Sequence, residues 1–342
     1  MPSDVSQDQW RTLYGLAAQV RELAPWTFMD DTMLFAVREP TTDQLGFVNV
    51  MGRLGEHFAV GVSLGAEGLY GFAALAASGG DPAEADRLLE IPQVHLSFED
   101  RAGVRPEDKA VIDRLGLKFR GRNAWPLFRS FVPGYLPWCI DAAEARMLQC
   151  VLEQLLDVAP RFRPDGPPMG PSVAGPYLLR EGSGPDGHWR DGEITVPPPA
   201  PMAIPLHVPT ALLDQVRGLS RVDNVIEIDC FIAPMHVAPE KGCRPSVTYM
   251  LLLVDGTSGM IVHFKLLGPD PDLPAMWGKV PAEILGVFAK HEVLPLSVAV
   301  GHPLLATVLE PIAARLQLAV ETDIPLRGLT AARHALERQF RS

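Results

Sequence analysis

The run LKFRGRNAWPLFRSFVPGYLPW, residues 117–138, is the densest grouping of chemistry-bearing side chains in the sequence. Lys118, Arg120, Arg122 and Arg129 stand there among Trp125, Phe128, Tyr135 and Trp138 with no acid between them. Guanidinium forks match carboxylate or phosphate, and flat rings offer stacking surfaces for a base or a peptide side chain. Lys118, Arg120, Arg122, Trp125, Arg129 and Trp138 are therefore the candidate ligand-binding set. The structural reading of the same residues is core and rim packing, with the arginines answering acids such as Glu99, Asp100 and Asp113. A second segment, VMGRLGEHFAVGVSLGAEGL, is rich in glycine but has neither phosphate-loop spacing, and its glycines suit hairpin turns better. Glu56 and His57 would form an acid–base pair only if they shared a face, which neighbours on a strand do not. No HExxH motif occurs, and neither a zincin nor a hydrolase nucleophile is assigned.

These side chains must be positioned by a chain of 342 residues, 47% hydrophobic and 21% charged, a globular composition long enough for two domains. Thirty Lys and Arg against 41 Asp and Glu leave a net charge of -11, which opposes general binding to nucleic acid or to anionic membranes. The deficit is shared: residues 1–163 carry 16 basic and 22 acidic side chains, the remainder 14 and 19. No secretory signal opens the sequence and no apolar run approaches the ~20 residues of a membrane helix. Cys139, Cys150, Cys230 and Cys243 form no CxxC pair, so no metal site is expected, and the expected location is the cytoplasm.

Ser6 with Gln9 and Asp141 with Glu144 read as capping boxes of two amphipathic helices. Between them, MLFAV, GFVNVMG and HFAVGVS alternate as an antiparallel meander. The expectation is an α+β N-terminal domain at 1–160 and a Pro/Gly-rich connector at 161–205 containing a possible hairpin. An α/β C-terminal domain at 206–342 follows, with a mixed five-stranded sheet in the order βββαβαβα.

The segments VIEIDCFIAP, TYMLLLVDGTSGMIVHFKLL, LPLSVAVGHPLL and LQLAVETDIPLRGLTAARHALERQF resemble, in outline, the ribonuclease H-like core of integrases and transposases. The resemblance implies acids near the first strand, the end of the fourth strand and the last helix, clamping two divalent metals for phosphoryl transfer. Asp229 occupies the first position. The second falls at Gly301 and His302, which supply no carboxylate, and Glu337 is the third. Asp255 sits in DGTSG, a context that suits a hairpin turn.

The N-terminal half, through APWTFMDD, VMGRLGEHFAVGVSLGAEGL, LGLKFRGRNAWPLFRSFVPGYLPW and DAAEARML, resembles an uncharacterised bacterial two-domain family, which implies no activity. The functional expectation is a non-catalytic cytoplasmic binding or regulatory protein with a degenerate ribonuclease H-like domain. It has no cofactor, and its partner is a protein or a small anionic ligand. The alternative is a Mg²⁺- or Mn²⁺-dependent nuclease or phosphoryl-transfer enzyme using Asp229 with Asp255, His302 or Glu337.

Overall fold

Ser6 and Gln9 exchange hydrogen bonds of 3.2 and 3.0 Å at the start of α1 (Gln7–Leu23), whose stripe of Trp10, Leu13, Tyr14, Ala17 and Val20 is buried. The computed structural model to which this helix belongs describes residues 4–77, 85–162, 175–183, 188–233 and 243–341. It divides into units Met1–Ala200 and Pro201–Ser342.

In the first unit, β1 (Phe35–Arg38), β2 (Leu45–Met51) and β3 (Phe58–Leu64) form a meander. There follow α2 (Gly65–Ala77), β4 (Gln93–Glu99), α3 (Pro106–Arg114), β5 (Trp125–Phe131), α4 (Ala142–Val158), β6 (Tyr177–Ser183) and β7 (His188–Ile194). The strands make one sheet in the order β5-β4-β3-β2-β1-β6-β7. All neighbours are antiparallel except β1 and β6, so the expected antiparallel meander is part of a larger mixed sheet. Apolar residues of α1, α4 and alternate strand positions, such as Val48, Val60, Val94 and Leu96, share one core.

The unit runs to Ala200 rather than to residue 160, because the β6–β7 ribbon is part of its sheet. Residues 163–174 and 184–187 of the expected connector lie outside the described residues. The ribbon is tied to α4 by charge. Buried Arg180 meets Asp191, Asp157 at 2.8 Å and Gln154 at 3.0 Å, while Arg161 reaches Asp157 at 2.7 Å and Asp191 at 2.6 Å. These arginines hold the Asp191 carboxyl below its usual range against the opposing effect of burial. Arg180→Ala is expected to cost about 1–3 kcal/mol, since the acids it leaves behind are half-exposed and can be rehydrated. Denaturant unfolding followed by far-UV dichroism measures this, and an unchanged midpoint would show that the network contributes nothing.

The second unit contains α5 (Thr210–Arg217), β8 (Ser220–Ile232), β9 (Tyr249–Asp255), β10 (Ile261–Leu267) and α6 (Leu273–His291). It continues with β11 (Val293–Val300), α7 (Pro303–Leu316), β12 (Ala319–Glu321) and α8 (Arg327–Arg341). The sheet order is β10-β9-β8-β11-β12, antiparallel among the first three strands and parallel among the last three. Helix α6 begins at its Asp272 cap and carries Pro281 in its interior rather than in its first turn. Ahead of α5, the amide of His207 donates to the Gly278 carbonyl of α6 at 3.0 Å, fixing the segment that follows the unit boundary.

Candidate functional site

The i, i+4 pair Trp10 and Tyr14 on α1 meets Phe128 of β5, with ring centroids 5.6 and 5.3 Å apart. Helix α3 lies opposite, with Glu107, Asp108, Ala110, Val111 and Arg114 turned to the same space. Trp138 and Cys139 complete the lining of a cavity of about 230 Å³. Trp138 is placed by backbone bonds to Ser130, 3.0 Å outward and 2.9 Å in return.

One wall carries a buried ion pair. Arg129 on β5 grips Asp108 with two bonds of 2.7 and 2.6 Å, and the Asp108 carboxylate also accepts the Arg105 amide at 2.9 Å. Burial opposes the charge of Arg129, and the Asp108 bonds more than offset it, holding that pKa above its usual value. Burial, aided by the Asp108 charge, raises both the Tyr14 phenol and the Cys139 thiol, so both stay protonated at neutral pH. The acid that Arg129 answers is thus Asp108, none of Glu99, Asp100 or Asp113. The pair joins residues 21 apart in sequence, with no local pattern to announce it.

The cationic run is therefore divided. Arg129 is consumed in the ion pair, Trp125 packs on Phe119 at 5.7 Å, and Trp138 lines the cavity. Lys118, Arg120 and Arg122 are exposed in the loop between α3 and β5 and make no ion pair with a described residue. Phe119 anchors that loop by stacking on Tyr14 at 5.8 Å, and the Asn123 amide anchors its end by donating to Asp100 at 2.8 Å. The three cations are thus held on an ordered frame beside a cavity wall.

The carboxylates of β8 do different work. Asp229 is partly buried at the end of the strand and accepts the amide of Cys230 at 2.9 Å and the amide of His302. Burial raises its pKa, with these bonds and the Arg333 guanidinium of α8 pulling the other way. Glu227, two residues earlier, is buried and accepts the Leu329 amide in the first turn of α8 at 2.6 Å. Each acid thus serves a helix start, where amides lack intrahelical partners and negative charge is favoured. Glu227 was not among the expected site residues, although its i, i+2 spacing from Asp229 puts both on one face of a strand.

The expected metal ligands do not converge. Asp255 pairs with Ile226 and Asp229 with Leu252, three positions along the ladder, roughly 10 Å. One Asp255 oxygen accepts Thr257 and Ser258 amides at 3.1 and 2.7 Å and the Ser258 hydroxyl at 2.8 Å, which lowers its pKa and makes it a turn former. His302 caps α7 through Nδ1, which accepts the Leu304 amide at 3.2 Å, and its ring lies 4.7 Å from Trp277. A Cβ on Gly301 would stand 2.8 Å from the Asp229 carboxyl, so a side chain at that position competes with Asp229 for space. Glu337 falls in α8, and its side chain lies outside the described residues. Among the described residues no group of three or more His, Cys, Asp or Glu is placed to hold a metal ion. These donors do not fit a two-metal centre.

Gly61-Val62-Ser63-Leu64-Gly65 has the GxSxG spacing of a hydrolase nucleophile, but Ser63 is 3% exposed and lies in β3, paired with Phe47 and Gln93. A nucleophile elbow needs the serine on a sharp turn, and here the positive φ of 64° belongs to Gly65. Asn49, Gln93, His95 and Ser97 alternate with apolar residues as a solvent face would, yet all are buried. Burial, with a lesser effect of His57, brings His95 down to about 3, so it is neutral. His57 itself approaches Glu99 at 3.6 Å rather than pairing with Glu56. None of the four cysteines forms a disulfide with a described residue, and no helix among the described residues is long and apolar enough to cross a membrane.

Residues 10–180 match the family model of a domain of unknown function, DUF7309, and residues 212–337 match a second domain of unknown function, DUF6930. No curated protein and no solved structure matches the chain.

Proposed function

Because the chain belongs to the family of the domain of unknown function DUF7309, we propose its role from its own geometry: a non-catalytic protein that binds a small anionic ligand through its N-terminal unit. The second unit is read as a degenerate ribonuclease H-like domain. Its strand order β10-β9-β8-β11-β12, with three antiparallel then parallel strands, supports that reading. Four cysteines without a CxxC pair and a charge of -11 support a reducing, cytoplasmic location without general nucleic-acid binding.

The observation that carries the non-catalytic reading is the contact between Asp229 and Gly301. Asp229 stands where the superfamily resemblance puts a metal ligand, but its carboxylate accepts two amides and fills the space a second acid would need. Its value is in joining β8 to the start of α7.

Asp229→Asn separates structure from catalysis. The folded pKa of Asp229 is raised, so ionisation costs stability as pH climbs from the unfolded value through the folded one. Below that window the two proteins should be equally stable, and above it the Asn variant should melt higher, since its amide oxygen still accepts. Melting curves at pH 3.5 and pH 7 give the comparison. Mg²⁺- or Mn²⁺-dependent cleavage of DNA or RNA by the parent protein, lost in Asp229→Asn, would overturn the non-catalytic reading.

A further inference from the structure

We propose that the cavity between α1, α3 and β5 binds a small aromatic carboxylate, its ring against the aromatic wall and its carboxylate toward Arg114 and the Tyr14 hydroxyl. This rests on reading the N-terminal unit as a binding unit, and names the class of ligand.

Size comes first. The cavity of about 230 Å³ is smaller than the ~300–1,000 Å³ of pockets for drug-sized ligands, so one or two rings fill it. Trp10, Tyr14, Phe128 and Trp138 give it an aromatic lining that favours flat occupants.

Polarity follows from counting what is free. Asp108 would attract a cation if its oxygens were vacant, but they accept Arg129 twice and the Arg105 amide. The Tyr14 hydroxyl makes no hydrogen bond with a described residue, and burial keeps it a donor. Arg114 lines the cavity, is exposed and makes no ion pair with a described residue. The available groups are therefore mostly donors, and a site of donors selects an acceptor-rich ligand. Lys118 and Arg120 flank Phe119, the ring stacked on Tyr14, and add positive field on that side. Glu107 opposes, but it lies seven residues before Arg114 on α3, about 10 Å along the axis. The carboxylate belongs at the Arg114 end.

The test titrates the full chain by calorimetry with indole-3-acetate, its neutral amide indole-3-acetamide, and the cation tryptamine. Saturable binding of indole-3-acetate is expected, with the amide at least about ten-fold weaker. Arg114→Ala should weaken indole-3-acetate by roughly ten-fold, about 1.4 kcal/mol, and leave the amide unchanged. Tyr14→Phe should weaken both, and Arg114→Lys should restore part of the affinity. Arg114 is exposed, so its variants should melt as the parent does, and melting curves check this. Tryptamine binding as tightly as indole-3-acetate, or an Arg114→Ala variant with full affinity, would overturn the carboxylate assignment. No binding of any of the three at millimolar concentration would overturn the cavity as the site. Neither result touches the non-catalytic reading, which fails only if metal-dependent cleavage is found.

Discussion

Asp108→Ala should destabilise the first unit by about 3–5 kcal/mol, because it leaves the buried Arg129 guanidinium without its counter-charge. Both side chains of the pair are 10% exposed, so little water can replace the lost carboxylate. The same substitution removes the acceptor of the Arg105 amide at the start of α3, a cap whose loss costs ~1 kcal/mol in comparable helices. For a unit of this size the midpoint of thermal unfolding should fall by roughly 6–20 °C. Arg129→Met combined with Asp108→Leu removes the charge and its partner together and should recover most of the loss. A fall under about 1 kcal/mol in Asp108→Ala would mean that Arg129 finds water or another acid, and the cavity wall is then softer than its geometry implies.

Two glycines of α6 should respond to alanine in opposite directions. A Cβ on Gly278 would run into the Pro205 carbonyl oxygen, which is backbone and cannot swing aside, in the segment that also donates the His207 amide to Gly278. Overpacking of this kind costs about 1–3 kcal/mol and more where backbone must move, outweighing the ~1 kcal/mol that alanine gains over glycine inside a helix. A net loss of about 2 kcal/mol or more is expected. Gly286 has no atom within 4 Å of its added Cβ, so Gly286→Ala should gain about 0.5–1 kcal/mol. Urea unfolding of both variants gives the signs. Equal effects would mean that residues 201–209 do not stay on the helix. If Gly278→Ala fails to accumulate as folded protein, thermolysin cleavage of the parent at that segment provides the same information.

The features that local chemistry determines were readable in the chain. The capping boxes Ser6/Gln9 and Asp141/Glu144 are made of neighbours, and both are present in the fold. The turn role of Asp255 follows from DGTSG in the same way. What could not be read depends on residues distant in sequence. Strand β5 was hidden because cations and prolines mask its alternation, and it is held by pairing with β4. The ribbon of β6 and β7 looked like connector because Pro and Gly crowd its surroundings, whereas its place is decided by Arg180 reaching α4. Of the candidate binding residues, sequence could place Lys118 through Trp138 in one run. It could not show that α1 and α3 add the remaining walls, or that Asp108 takes Arg129 out of the set.

The parallel pairing of β1 with β6 sets an order of events during synthesis. Ala36 finds its partner only when Leu179 has left the ribosome, about 140 residues later. At ~5–20 residues per second, β1 waits about 7–28 s with one edge of unpaired amides and carbonyls exposed. A fragment ending near residue 160 never leaves that state. It would keep the helices and the cavity residues, yet carry a permanently open strand edge and an acidic helix end without its arginine. The ribbon thus moves the sheet edge from the buried, apolar β1 to β7, whose residues are mostly exposed and include Arg190, Asp191 and Glu193, and the late arrival of these last strands exposes the nascent chain to edge-to-edge association before folding is complete.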